Sequence, residues 1–146
     1  MQNFTRLNNL AGWFVFLIAL VTYTLTVEPT ASFWDCGEFI ATAYKLEVGH
    51  PPGAPLFMLI ARVLSMFVPV EHAAMMVNAI SALSGSLAVL FLFWTITLFA
   101  KKMALKSGEM TQAKMIAIFG SGFVGGLAYT FSDTAWFSAV EGEVYS

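Results

Sequence analysis

The chain is short of the residues that most soluble enzymes rely on. It holds one cysteine, Cys36, so no intrachain disulfide can form. Its two histidines, His50 and His72, flank an apolar segment and show no metal-ligand spacing. Charged residues make up only 11% of the 146. No P-loop, internal repeat or low-complexity segment occurs, and no nucleic-acid partner is expected. Gly120, Gly122 and Gly125 do form a G-x-G-x-x-G pattern. It lies inside an apolar helical stretch with no preceding strand, which excludes a dinucleotide site.

Apolar length is what the chain has in quantity. It is 58% hydrophobic with a mean hydropathy of +0.75, outside the range of a soluble domain. Three stretches carry no charge: Leu7–Val27, Ala73–Ala100 and Met115–Ser132. A bilayer core needs roughly 20 apolar residues as a helix, so spans are expected at about 8–27, 77–100 and 115–132. The first exceeds the apolar run of a signal peptide and lacks a small-x-small cleavage site. It reads as an uncleaved anchor.

Charge alternates between the spans. Arg6 stands alone before the first. Residues 28–72 carry Glu28, Asp35, Glu38, Glu47 and Glu71 against Lys45 and Arg62. Residues 101–114 carry Lys101, Lys102, Lys106 and Lys114 against Glu109. Residues 133–146 carry Asp133, Glu141 and Glu143 and no base. Under the positive-inside rule the N-terminus and 101–114 are cytosolic, with the loop 28–72 and the tail 133–146 outside. Leu56–Val70 is apolar but short, and Arg62 near its middle opposes a bilayer crossing. It is expected to lie along the outer leaflet with Arg62 and Ser65 turned to water.

The first external loop holds most of the ionisable side chains. Residues 38–47 read as an amphipathic helix, with Phe39, Ile40, Ala43 and Leu46 on one face and Glu38, Thr42 and Lys45 on the other. Pro51, Pro52 and Pro55 break it, and a second helix follows over Leu56–Val70. Asp35 and Glu38 have the spacing of a capping box, with Asp35 as N-cap. The same arrangement fixes a carboxylate rigidly, as a general base requires. His50 is a turn residue, a contact for a lipid phosphate or a proton shuttle. Lys45 and Arg62 are solvated charges or counter-charges for a phosphate leaving group. Glu141 and Glu143 form a solvated loop or face the same outer cavity. Phe33, Trp34, Trp136 and Phe137 sit near span ends as an aromatic belt would, and Cys36 reads as inert. Small residues at Ser121, Gly122, Gly125 and Gly126 give the third span a smooth packing face. The partner helix for that face is expected outside this chain, which reads as the N-terminal portion of a longer protein.

These residues carry a resemblance. Trp34, Asp35, Gly37, Glu38, Phe39 and Ala41, followed by Gly49, His50, Pro51, Pro52, Gly53, Pro55 and Leu56, resemble the N-terminal signature of a multi-pass membrane protein family common in Bacteroidota. The animal relatives of that family are protein O-mannosyltransferases. Glu141, Glu143, Val144 and Tyr145 resemble its second block. The layout is similar to glycosyltransferases of the GT-C fold, which place an acidic residue early in an external loop with two membrane-parallel helices. The fold expected is therefore all-α and integral to the membrane: three transmembrane helices, two membrane-parallel helices in the first external loop, and the start of a GT-C-like module.

The resemblance implies transfer of a sugar, with mannose the candidate, from a polyprenyl-phosphate donor to Ser or Thr hydroxyls of an exported protein. Asp35 is the expected general base and Glu38 its catalytic partner. His50, Lys45, Arg62, Glu141 and Glu143 are the expected substrate-binding residues. No cofactor is called for, and a divalent metal is compatible but not indicated. The expected location is a bacterial inner membrane with the catalytic loop in the periplasm. The rival reading is a non-enzymatic scaffold or assembly subunit. A transporter is disfavoured because none of the three spans holds an ionisable residue.

Overall fold

The computed structural model describes residues 2–32, 35–51, 53–106 and 108–142, with the Gln2 side chain left aside. Among these residues the chain is helical with no strand. Its elements are α1 (Gln2–Thr26), α2 (Cys36–Lys45), α3 (Pro55–Ser65), a 3-10 turn (Val70–His72), α4 (Ala73–Lys106), α5 (Gln112–Thr130) and α6 (Asp133–Val140). Three of the helices are long and apolar enough to cross a membrane, as the uncharged stretches require. The chain is an integral membrane protein.

α4 is the central post, packed against α1 and α5 along its length and touched by α2, α3 and α6. Its 34 residues run about 51 Å at 1.5 Å per residue, well beyond a bilayer core. The excess carries Lys101, Lys102 and Lys106, so half of the expected loop 101–114 continues the helix. Thr111 then starts α5, its side-chain oxygen accepting from the Lys114 amide at 3.3 Å.

The smooth face of α5 finds its partner inside this chain, contrary to expectation. A Cβ at Gly122 would lie 2.7 Å from Thr97 Cγ2 and 2.8 Å from the Phe93 ring; one at Gly126 would lie 3.2 Å from Val15. The absent side chains let α5 settle onto α4 and α1. Lipid offers no hydrophobic driving force between helices, so close van der Waals approach supplies the attraction. Two buried hydroxyls in this region are satisfied within their own helices, Ser86 donating to Ala82 O at 2.6 Å and Thr130 to Gly126 O at 2.8 Å, whereas the buried Tyr23 hydroxyl of α1 donates across to Thr130 O of α5 at 3.0 Å.

Within the stretch 133–146, read as an external tail, residues 133–140 form a helix. α6 turns back between α1 and α4. Ala139 seats against Gly85, whose Cβ would lie 3.0 Å away, and Trp136 Nε1 donates to Thr26 Oγ1 at 3.1 Å. Val15, Ala19, Tyr23, Ala82, Val89, Phe93 and Ala139 form the resulting bundle core.

A second, smaller core lies under the first loop: Phe39 and Ala43 of α2, Met58 and Ala61 of α3, Val77 and Ile80 of α4. The pattern on α2 differs from expectation at two positions. Thr42 is buried, its hydroxyl donating to Glu38 O at 2.7 Å, and Leu46 is exposed. Leu46 takes a left-handed backbone (φ 57°), and the Glu47 amide donates to Thr42 O at 2.8 Å, ending the helix as a Schellman motif does.

α3 is shorter than the expected 56–70 and turned the other way. Met58, Ala61 and Ser65 face inward, with Ser65 Oγ donating to Arg62 O at 2.9 Å. Leu56, Leu59, Ile60 and Val63 face out. Ser65 is therefore not turned to water. An outward apolar face suits lipid, and the small serine with a satisfied hydroxyl fits the tight side.

Candidate functional site

Asp35 immediately precedes α2 and has already entered helical backbone (φ −80°, ψ −9°). Its side chain makes no cap hydrogen bond, so the expected capping box does not form. An N-cap needs extended backbone to bring its oxygen over the first-turn amides, and Asp35 lacks that conformation. Glu38 instead reaches across the loop. Its Oε1 accepts from the His50 backbone amide at 2.7 Å, and its Oε2 lies 3.0 Å from His50 Nδ1. His50 Nε2 in turn lies 3.8 Å from Asp35 Oδ2.

His50 thus sits between two carboxylates. Its turn is closed by the Gly53 amide donating to His50 O at 2.9 Å, and Gly53 takes φ 74°, a value that favours glycine. The Phe39 ring, anchored in the loop core, lies 6.2 Å from the imidazole. The three polar side chains remain accessible: 54% for Asp35, 46% for His50 and 39% for Glu38.

The electrostatics follow from these contacts. The backbone hydrogen bond from His50, then the ring contact, hold the Glu38 carboxyl below its usual range. The hydrogen bond to Glu38 and the Glu38 charge, with a smaller part from Asp35, hold the His50 imidazole above its ordinary value. The two carboxylates differ in consequence. Glu38 is committed to shaping the turn. Asp35 keeps an open carboxylate beside an imidazole whose protonated form Glu38 favours.

Sequence spacing showed no metal constellation, but folding creates one three-ligand cluster. Ligand atoms of Asp35, Glu38 and His50 all lie within 4.8 Å of one another. Two carboxylates and one imidazole are a donor set that hard or borderline divalent cations accept.

Asn78 is the residue that sequence reading missed. It is fully buried at the start of α4. Its Nδ2 donates to Glu28 O at 2.7 Å and to Thr30 O at 2.9 Å, and its Oδ1 accepts from the Cys36 thiol at 3.6 Å. The Glu28 amide donates to Val140 O at 2.8 Å. A Cβ on Gly142 would lie 3.0 Å from Asn78 Oδ1 and 3.5 Å from Cys36 Sγ. One amide therefore gathers the loop entry, the first turn of α2 and the segment after α6. The available signal was an isolated carboxamide at the head of an apolar run, where burial demands partners.

This convergence brings Glu141, partly exposed, to the end of α2 that bears Asp35. Glu143, with Phe33, Trp34, Pro52, Val144 and Tyr145, lies outside the described residues. Lys45 and Arg62 do not join the cluster. Lys45 is exposed in the last turn of α2, about 15 Å along the helix from Asp35 by rise per residue. Arg62 donates to the Tyr44 carbonyl and lies over the Tyr44 ring, 5.6 Å from its centroid. It pins α3 to α2 rather than pointing to water. Cys36 is buried, as an inert thiol would be. Beside the His50 turn an open groove of about 440 Å³ runs between the loop after α2 and the start of α3, lined largely by Leu46, Val48, Ala54, Met58 and Leu59.

Residues 35–146 match the family model described as the protein O-mannosyl-transferase TMEM260 N-terminal domain. The chain is similar to the protein O-mannosyl-transferase tmem260 of Dictyostelium discoideum, 28% identical over 134 residues that cover 90% of this chain and 14% of the relative. It is also similar to the protein O-mannosyl-transferase TMEM260 of Mus musculus, 30% identical over 132 residues that cover 90% of this chain and 16% of the relative. The chain thus spans only 14% and 16% of the length of these two relatives. No solved structure matches.

Proposed function

The chain belongs to the protein O-mannosyl-transferase TMEM260 N-terminal domain family, and we propose that it supplies the base-bearing loop of a membrane glycosyltransferase. The donor is a polyprenyl-phosphate sugar, with mannose the sugar favoured by the names of the relatives. The acceptor is a Ser or Thr hydroxyl of an exported protein. In this reading the N-terminus and the lysine-bearing end are cytosolic. The loop faces the outside, which in a bacterium is the periplasmic side of the inner membrane.

One observation carries the assignment of roles: Asp35 keeps an accessible carboxylate while Glu38 is spent on His50. Asp35 takes the proton of the acceptor hydroxyl. The acceptor oxygen attacks the anomeric carbon through an oxocarbenium-like state, and the bond from that carbon to the phosphate oxygen breaks. Lipid phosphate leaves with the electron pair, and a single displacement inverts the anomeric centre. Glu38 acts as a positioning residue, setting the turn so that His50 lies beside Asp35. In its protonated form, His50 offers charge to the phosphate. Glu141, brought to the same end of α2, is the next candidate to touch the sugar. Lys45 and Arg62 line the far end of α2, where they would meet lipid headgroups. The apolar groove beside the turn fits the first prenyl units of the donor.

The test is transfer of labelled sugar from a polyprenyl-phosphate donor to a Ser/Thr peptide, in membranes holding the full-length protein. Asp35→Asn, at matched expression, is expected to lower transfer by about 10² or more, as loss of a general base does. Equal transfer by Asp35→Asn and wild type moves the base to Glu141 or beyond. No transfer by either, across several donors, favours a scaffold.

A further inference from the structure

The opposite end of the bundle carries polar chemistry that sugar transfer does not use. Arg6, Lys101, Lys102, Lys106 and Lys114 collect there against Glu109. Among the described residues the ion pairs all involve His50, at the other end. Lys114 Nζ bonds the carbonyls of Gly108 and Glu109, at 3.2 and 3.0 Å. Lys102 lies over the Phe99 ring and Lys101 over the Phe4 ring, 4.4 Å from its centroid. Among the described residues no carboxylate pairs with these cations.

Lys101 stands at a cavity of about 270 Å³ between α1 and α4, lined also by Phe4, Thr5, Asn8, Trp94 and Thr97. Two polar atoms of this lining are sealed from solvent without a partner among the described residues: Asn8 Oδ1, an acceptor, and Trp94 Nε1, a donor. The indole reaches this position because residue 12 is glycine; a Cβ there would lie 2.3 Å from Trp94 Nε1. Thr97 is already committed, its hydroxyl donating to Trp94 O at 3.1 Å. An unpaired acceptor and an unpaired donor on two residues of the lining match a hydroxyl, which can serve both. A lysine at the same cavity matches a phosphate. The surrounding helix surfaces are exposed and apolar, with Leu10 at 60% and Leu98 at 52%, so hydrocarbon chains can lie along them. Basic pockets between transmembrane helices on the lysine-rich side are where anionic headgroups bind.

We propose that this cavity binds the headgroup of an anionic, hydroxyl-bearing phospholipid, with its phosphate on Lys101 and its hydroxyl toward Asn8 and Trp94. The site is independent of the transferase reading and stands or falls without it.

Native mass spectrometry of the full chain in neutral detergent tests it, titrating phosphatidylglycerol, phosphatidic acid, phosphatidylcholine and inorganic phosphate. Phosphatidylglycerol is expected to be retained and phosphatidylcholine lost. Lys101→Gln should weaken phosphatidylglycerol binding roughly twentyfold, as loss of a charge-assisted hydrogen bond does, and Lys101→Arg should restore most of it. Lys102→Gln, one position outside the cavity lining, should cost about fivefold at most, the share of a surface cation. Asn8→Leu should abolish the preference for phosphatidylglycerol over phosphatidic acid, whose headgroup has no hydroxyl. This ratio remains readable if Lys101→Gln fails to fold. Equal losses in Lys101→Gln and Lys102→Gln would reduce the site to diffuse surface charge. Equal retention of phosphatidylcholine, or full displacement by inorganic phosphate, would overturn it as well.

Discussion

The core shared by α1, α4 and α6 and the core beneath α2 and α3 are closed by different means. In the first, Val15, Ala19, Phe93 and their neighbours meet by shape. Glycines at 85, 122 and 126 let the helices approach until little room is left. In the second, a few apolar contacts hold two short helices over the head of α4. Their positions are set by individual hydrogen bonds that Asn78 and Arg62 donate and Glu38 accepts. A bundle closed mainly by shape relies less on polar contacts, here Tyr23 donating to Thr130 O and Trp136 to Thr26. A hydrogen-bonded loop can present open carboxylates because its order does not depend on burying them. The division lets the same chain be rigid in lipid and chemically available at the surface.

The largest expected effect breaks the shape-closed half. Gly122→Val places a branched side chain where even a Cβ would lie 2.7 Å from Thr97 and 2.8 Å from Phe93. Overpacking there should cost about 3 kcal/mol, seen as earlier loss of helicity on denaturation in detergent. Gly120→Ala is the matched control, since a Cβ there meets nothing within 4 Å. Its effect should stay within about 1 kcal/mol and lean toward stabilisation, as Ala is the better helix former. Equal destabilisation by the two would mean that α5 does not approach α4 through Gly122.

The next effect falls on the hydrogen-bonded half. Asn78→Leu keeps the volume roughly similar but leaves the carbonyls of Glu28 and Thr30 without their donor. Losing two hydrogen bonds to part-buried carbonyls should cost about 1 kcal/mol. Faster amide hydrogen exchange should be confined to residues around 28–36 and 140–142, with α5 protected as before. Uniform acceleration along the chain would show that Asn78 supports the bundle rather than the loop.

The division also explains what could be read from the chain. Hydropathy and length gave all three long helices, because an uncharged run has one outcome in a bilayer. The glycine face of α5 was legible as a face, but its partner was not. Periodicity says that a surface is smooth without saying which helix covers it, and here Phe93 and Thr97 do. The loop defeated pattern reading at single residues. Thr42 and Ser65 are polar yet buried, because hydroxyls bonded to their own helix carry no unsatisfied group. Asp35 and Glu38 had cap spacing, but Glu38 found better donors in His50, twelve positions on. Such a pairing depends on the turn through Gly53, and no local window contains it. Asp35, Glu38 and His50 were nameable as candidates from composition alone, since ionisable groups are scarce here. Their mutual distances were not.

The smallest expected effect concerns that pairing and sharpens the comparison, since the bundle has no counterpart to it. Glu38 is held below its ordinary 4.5, first by the His50 backbone amide and then by the ring. The order it lends the loop is present above that ordinary value and is lost as pH falls through the lower, folded one. His50 is held above its ordinary 6.5 by Glu38 and, less strongly, by Asp35. The order it lends is complete below 6.5 and is lost as pH rises through the higher, folded value. The turn at 47–53 should therefore be best protected between these two ordinary values and loosen on both sides. The alkaline side is the one nearer neutrality. Amide exchange across the turn, corrected for its intrinsic pH dependence, measures this directly. In Glu38→Gln the ring loses its main stabilising charge, so the His50 titration should move down toward 6.5 and the pH dependence of the turn should flatten. Exchange in α5 should not change across this pH range or with the substitution, because Glu38 and His50 pair with each other in the loop. If the alkaline loosening persists unchanged in Glu38→Gln, the turn is held by its prolines and Gly53 alone, and His50 is free to serve Asp35 without a positioning partner.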